Sequence, residues 1–141
     1  MKVKVFIAII VDMIAIYTDG ACSGNNGNSC PGGWGVVIDS PDGRRELYGG
    51  AAGVTNNKME LVAVIEALRA IPIGSQAEVL TDSQYVQRGI STWIHAWKKR
   101  GWKNANNKPV ANQDLWQALD SLDSERRIRW VWIKGHNGHP G

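Results

Sequence analysis

The sequence has a single Phe beside seven Trp, and only two Cys in 141 residues. Filling an interior with indole in place of phenyl requires a partner for each buried ring N–H, so some of these rings are expected to face ligand or water. Cys22 and Cys30 have neither CxxC spacing nor a histidine at metal-site distance, which sets aside a zinc site of the common patterns. They read as two reduced thiols of a cytoplasmic protein; a disulfide closing the Gly/Asn-rich loop between them would need an oxidising compartment. No apolar window is long enough to cross a bilayer, so no membrane association is expected. The opening "MKVKVFIAIIVDM" has the look of a signal peptide, but its apolar run is short, Asp12 interrupts it and no small-residue cleavage site follows. Residues 1–12 are read as an extension or extra strand, or as upstream sequence before an internal start at Met13, ahead of one domain over residues 13–141.

Apolar residues make up 43% of the chain and charged ones 21%, which excludes a disordered protein and fits one domain with a core of its own. The net charge of +3 is small, and evenly spread it would say little about partners. It is not evenly spread. Around "WIHAWKKRGWK", Lys98, Lys99, Arg100 and Lys103 interleave with Trp93, Trp97 and Trp102. Trp93 and Trp97, one helical turn apart, are candidates for core, and a charge run is often a solvated face. A dense cationic tip carrying aromatics also suits phosphate attraction and the stacking of sugars or bases.

Ile14 to Thr18 is β-branched and apolar and runs into Asp19-Gly20, a strand entering a turn. Strands are expected again at Trp34 to Ile38 and Arg45 to Gly50, joined by the turn at Pro41 to Gly43, so the chain opens as an antiparallel meander. From Asn57 the apolar residues recur at helical spacing through Leu61, Ile65 and Leu68, with Thr55 and Asn56 at capping positions and Pro72 as the stop. A strand follows at Glu78 to Thr81, then short helices at Ser83 to Gly89 and Thr92 to Lys99, a polar loop at Asn104 to Pro109, a helix at Asn112 to Leu122 and a strand at Ile128 to Ile133. Strands first, then alternating helices and strands, predict an α/β domain with a mixed sheet.

Three carboxylates stand out by position. Asp19 and Asp82 are expected where two strands end, and Glu60 in the first turn of the long helix. Carboxyl ends of neighbouring strands converge, and a helix packed across the sheet can add a third acid. Three such groups repel one another unless a cation neutralises them, and hard oxygen donors suit Mg²⁺ or Mn²⁺. Each also has an ordinary role: Asp before Gly is a turn residue, Glu near a helix start complements the macrodipole, and Asp82 is a candidate helix cap.

The segments "YTDGACSGNNG", "TNNKMEL", "LTDSQYV", "STWIHAWKKRGW" and "WIKGHNGHPG" resemble bacterial ribonuclease HI in order and spacing, from about Met13 to Gly141. The resemblance implies a five-stranded mixed sheet of order 3-2-1-4-5 with helices on both faces. It also implies endonucleolytic hydrolysis of the RNA strand of RNA/DNA hybrids, leaving 5′-phosphate and 3′-hydroxyl ends. Asp19, Glu60 and Asp82 match the family's first three metal-binding carboxylates, serving two Mg²⁺ ions about 3.5 to 4 Å apart, with Mn²⁺ as a substitute. His136 matches the histidine of the family's mobile catalytic loop, whereas His139 reads as a solvated loop residue. Cys22, Gly24, Asn25, Asn56, Asn57 and Gln84 match positions that line the hybrid's minor groove, where amides and backbone groups can meet 2′-hydroxyls without reading bases. Thr55 and the helix start beside it could receive a phosphate. The Trp93 to Lys103 segment resembles the basic protrusion that grips the DNA strand. Lys58 stands where arginine is commoner, keeping charge and losing bidentate geometry.

Two departures are visible. The loop from Asn25 to Pro31 is a few residues longer than the common form, and the family's fourth carboxylate and C-terminal helix lie beyond Gly141. Alternative expectations are therefore a hybrid-binding protein with weak or no catalysis, a member of the wider nuclease and integrase superfamily acting on DNA, or an incomplete reading frame. No protein partner is implied, and a monomer is expected.

Overall fold

The computed structural model describes residues 13–22 and 30–133, with the side chains of Cys22 and Cys30 excepted. The first three strands are β1 (Ile14–Cys22), β2 (Cys30–Ser40) and β3 (Gly43–Val54), followed by helix α1 (Asn56–Arg69) and β4 (Gln76–Thr81). Helix α2 (Gln84–Arg88) passes through a wide π turn at Gly89–Trp93 into α3 (Ile94–Lys99), and α4 (Gln113–Ser124) leads to β5 (Arg127–Trp132). The sheet order is β3-β2-β1-β4-β5, as expected. β1, β2 and β3 pair antiparallel, while β4 and β5 join β1 in parallel.

Alternation along the strands decides which face is covered. Ile16, Val36, Ile38 and Val79 are buried against Leu61, Val64, Ile65 and Leu68 of α1, whose apolar residues recur every three or four positions. Trp116 and Leu119 of α4 close the same core. Residues of the opposite parity are less covered: Tyr17 is 44% and Tyr48 82% exposed, while Val37, Leu80 and Val131 are half-buried. Helices α1 and α4 pack on this covered face of the mixed sheet, in keeping with the α/β fold expected.

Three expectations are corrected. β1 does not stop at Asp19-Gly20; its ladder with β2 continues through Asp19↔Gly35 to Cys22↔Gly32. What stops at this level is its pairing with β4, whose last partner pair is Tyr17↔Leu80. The two short helices after Asp82 are one continuous helical run that widens into a π turn from Gly89, where a Cβ would collide with the Trp116 ring. Glu60, fifth residue of α1, lies in the second turn and not the first.

Candidate nucleic-acid cleft

The parallel register places the first two acids. Two positions beyond Tyr17↔Leu80 come Asp19 on β1 and Asp82 just past β4, each following a buried threonine, Thr18 or Thr81. With no ladder left between β1 and β4 at that level, the strands part and leave the two carboxylates at the lip of a cleft.

Glu60 arrives from above because α1 sits directly on β1 at Gly20. A Cβ on Gly20 would meet the Met59 carbonyl group and come within 2.7 Å of the Glu60 nitrogen. Only glycine admits that approach, so the residue after Asp19 sets the height of Glu60 over the sheet. The Glu60 Oε1 atom accepts a hydrogen bond of 2.8 Å from Ser83 Oγ. Ser83, not Asp82, is the N-cap of α2, its Oγ accepting from Val86 N at 3.0 Å.

Asp19, Glu60 and Asp82 line one open cleft of about 560 Å³ together with Gly20, Ala21, Asn56, Asn57, Gln84 and Tyr85. Burial pushes the Glu60 carboxyl above its ordinary value; the Ser83 hydrogen bond opposes that, and the charges of Asp82 and Asp19 add to it. Among the described residues, no three His, Cys, Asp or Glu side chains are closed tightly enough to hold an ion as they stand. The donor chemistry still fits a hard divalent cation, because an ion between the acids would relieve the repulsion and the desolvation that Glu60 bears.

The helix starting at Asn56 borders this cleft. Thr55 is its N-cap, with Oγ1 accepting from Lys58 N at 3.1 Å, and Asn56 and Asn57 are exposed on its first turn. Gln84 opens α2 on the other side of the acids. Cys22 ends β1, while Gly24, Asn25, His136 and His139 lie outside the described residues, as does the expected extension over residues 1–12.

The tryptophan segment has two layers. Trp93 and Trp97 have ring centroids 5.8 Å apart, and Trp97 and Trp102 6.0 Å. Beneath them Trp116 meets Trp97 at 5.6 Å and Tyr85 at 5.2 Å, with its Nε1 donating to the Tyr85 hydroxyl at 3.1 Å. Each of the three upper rings is half-buried, anchored below and open above. Trp93, Trp97, Tyr85 and Ala111 line a shallow groove of about 240 Å³, and Tyr85 belongs to the acidic cleft as well. The aromatics thus connect the basic tip to the acids.

The cations are not equivalent. Lys98 Nζ lies 2.9 Å from Asp120 Oδ1 of α4, which turns it towards the protein. Lys99, Arg100 and Lys103 are exposed. The tip is shaped by Gly101 and Trp102, both at φ 66°, and by a Lys103↔Pro109 bridge across the following loop. Asn104 Oδ1 braces that loop by accepting from the backbone of Asn106 and Lys108.

Sequence reasoning missed Tyr85 as a wall of the cleft and Ser83 as the hydrogen-bond partner of Glu60. Ser83 is hidden by its plain role as a cap, and Tyr85 by a residue type that carries no signal alone; adjacency to Asp82 was the available clue.

An α/β mixed sheet with two acids on or just past its central strands and a third on the helix above them, flanked by amides and a basic aromatic tip, makes a cleft whose chemistry suits a polyanionic ligand. The ribonuclease H family model matches residues 12–141. Ribonuclease H of Cupriavidus metallidurans is 58% identical over 128 residues, covering 91% of this chain and 86% of the relative. Ribonuclease H of Herminiimonas arsenicoxydans is 55% identical, covering 93% and 88%. Among solved structures, LC9-RNase H1, a type 1 RNase H with the type 2 active-site motif, superposes with a TM-score of 0.79 at 35% identity, over 92% of this chain and 66% of that one. The chain belongs to the ribonuclease H family, and its class of activity is that of a nuclease enzyme. None of its helices is long and apolar enough to cross a membrane, among the described residues.

Proposed function

We propose that this protein hydrolyses the RNA strand of RNA/DNA hybrids endonucleolytically, leaving 5′-phosphate and 3′-hydroxyl ends. The observation that carries this reading is the shared cleft of Asp19, Glu60 and Asp82, bordered by the amides of Asn56, Asn57 and Gln84.

Asp19, Glu60 and Asp82 would hold two Mg²⁺ ions, or Mn²⁺, which supply an activated water and neutralise charge on the leaving 3′ oxygen. The chain's own contribution is mostly positioning and charge, as phosphodiester hydrolysis demands. Asn56, Asn57 and Gln84 offer short donors and acceptors to 2′-hydroxyls and sugar atoms, which selects RNA without reading sequence. Cys22, Gly24 and Asn25 are proposed to extend that minor-groove surface, and Thr55 with the α1 start to receive a backbone phosphate. Lys99, Arg100 and Lys103 attract the DNA backbone, with Trp93, Trp97 and Trp102 giving its sugars and bases a stacking surface. Lys98 joins them on releasing Asp120. His136 is proposed to assist proton transfer or product release, and an imidazole titrating near neutrality suits either task.

The test compares four end-labelled 20-mers with Mg²⁺: RNA/DNA hybrid, duplex DNA, duplex RNA and single-stranded RNA. Internal cleavage of the hybrid's RNA strand alone, with products that polynucleotide kinase labels only after phosphatase treatment, supports the reading. Cleavage of duplex DNA at a comparable rate contradicts the substrate. Tight, salt-dependent hybrid binding without cleavage contradicts the enzymatic part.

A further inference from the structure

We propose that Ser83 is a positioning residue for the acidic cleft: its hydroxyl fixes the orientation in which Glu60 is presented to a divalent cation. The inference rests on the metal-binding reading of that cleft and goes beyond it by naming a residue that is not itself an acid.

The hydroxyl of Ser83 is used twice. It accepts from Val86 N as the cap of α2, so its single hydrogen is free to be given elsewhere. That hydrogen goes to Glu60 Oε1 at 2.8 Å. Rotation of Ser83 is restricted, because the residue is only 3% exposed and its own N–H donates to Thr81 Oγ1 at 3.2 Å. A donor locked at both ends ties one oxygen of Glu60, a residue that lines the same cleft as Asp19 and Asp82.

The alternative is that Ser83 merely caps a five-residue helix. Energetics separate the two. A serine cap replaced by glycine loses little stability, whereas a hydrogen bond to a charged group contributes several times more. Long glutamate side chains have three rotatable bonds, so an untethered Glu60 would order itself only on meeting the ion. Outer partners of metal-binding carboxylates act in this way in general, and losing one typically weakens binding 10- to 100-fold.

The same serine also links two parts of the site. The helical run it caps continues through Gln84 and the π turn to Lys98 and Lys99. Glu60 on α1 and the basic tip are therefore referenced to one rigid origin, Ser83 on the loop between β4 and α2.

Titration calorimetry of Mn²⁺ into the protein tests this, on wild type, Glu60→Gln, Ser83→Gly, Ser83→Thr and the double variant Glu60→Gln/Ser83→Gly, with melting in EDTA as the structural control. Ser83→Gly keeps the cap conformation and loses the donor; Ser83→Thr keeps both. The proposal predicts Mn²⁺ binding about tenfold weaker in Ser83→Gly, within about twofold of wild type in Ser83→Thr, and no further loss when Ser83→Gly is added to Glu60→Gln. Hybrid cleavage should fall in kcat with KM unchanged. Mn²⁺ affinity in Ser83→Gly within twofold of wild type, while Glu60→Gln weakens it, overturns the inference and leaves the metal reading standing. Absence of any Glu60-dependent binding in wild type overturns both. If Ser83→Gly fails to melt cooperatively, the Ser83→Thr result and a Ser83→Ala variant carry the test: weak binding in a folded Ser83→Ala supports it, and unchanged binding overturns it.

Discussion

Asp19 and Asp82 occupy matching positions two residues beyond the last paired residues of two parallel strands, Tyr17 and Leu80. Their proximity is thus a property of the backbone register and not of side-chain rotamers. Glu60, by contrast, owes its place to a close helix approach and to one hydrogen bond. Two acids are fixed by the sheet and one by packing, so the three should respond differently to substitution.

Gly20→Ala probes the packed acid. Its Cβ would drive into the Met59 carbonyl group and lift α1, with Glu60, from β1. Overpacking of this kind costs about 1–3 kcal/mol, to be read from chemical denaturation. Activity of the folded fraction should fall about 10- to 100-fold, since small displacements of a catalytic group have effects of that size.

Glu60 also predicts a pH dependence. Its carboxyl is raised above the ordinary value of 4.5, by burial first. A raised acid means the folded state holds the proton more tightly than the unfolded one, so the stability that Glu60 itself contributes is full below pH 4.5 and is lost as pH rises through the folded-state value. In EDTA, Glu60→Gln should therefore melt higher than wild type at pH 7, with the gap closing towards pH 4. Mg²⁺ should reverse the order at pH 7, because wild type binds the ion more tightly than Glu60→Gln. Identical melting of the two proteins at pH 7 in both conditions would contradict this.

The basic tip makes a graded prediction. Lys99→Ala and Arg100→Ala should each weaken hybrid binding and reduce the slope of log affinity against log salt by about one, the change expected when a single phosphate is no longer neutralised. Lys98→Ala should do less, because Lys98 begins 2.9 Å from Asp120. Fluorescence anisotropy between about 50 and 200 mM salt measures all three. Equal losses would show that the Asp120 pair does not restrain Lys98.

Arg126 separates stability from the site. Its side chain, 5% exposed, donates to the Ile71 carbonyl through Nε and Nη2 at 3.2 and 3.0 Å, and to the Leu122 carbonyl at 3.1 Å. The Leu122 carbonyl is one of those left over in the last turn of α4 and Ile71 lies just past the C-cap of α1, both remote from the acids along the sheet. Arg126→Met should cost about 2–4 kcal/mol by stranding them. Cleavage per folded molecule should be unchanged.

Much of the fold is legible in the sequence, for identifiable reasons. The meander and the long helix follow from period-two and period-3.6 patterns in Ile14 to Leu68 and from short connections, whereas the strand order is implied by the resemblance to ribonuclease HI. Of the three acids only Asp82 sits at an element boundary; Asp19 and Glu60 lie inside β1 and α1 and stand out with it through the motifs that carry them. The continuity of the run from Ser83 to Lys99 is not legible, because Gly89 reads as a helix stop and its true reason is Trp116, 27 residues further on. Nor is the extension of β1 past Asp19, since Gly20-Ala21-Cys22 has weak strand propensity and is held by its partner β2. Lys98 looks like its neighbours until Asp120, on another helix, is placed beside it. In each case the missing information is a partner distant in sequence.

The Asp19, Glu60 and Asp82 cleft is held to cleave RNA in a hybrid. Single-turnover cleavage of an RNA-labelled hybrid by wild type and Asp82→Asn, in Mg²⁺ with enzyme in excess, tests this most directly. Internal cleavage by wild type is predicted, with a loss of at least about 10³-fold in Asp82→Asn and hybrid affinity retained. Cleavage by Asp82→Asn at the wild-type rate, or an intact hybrid with wild type, would contradict it.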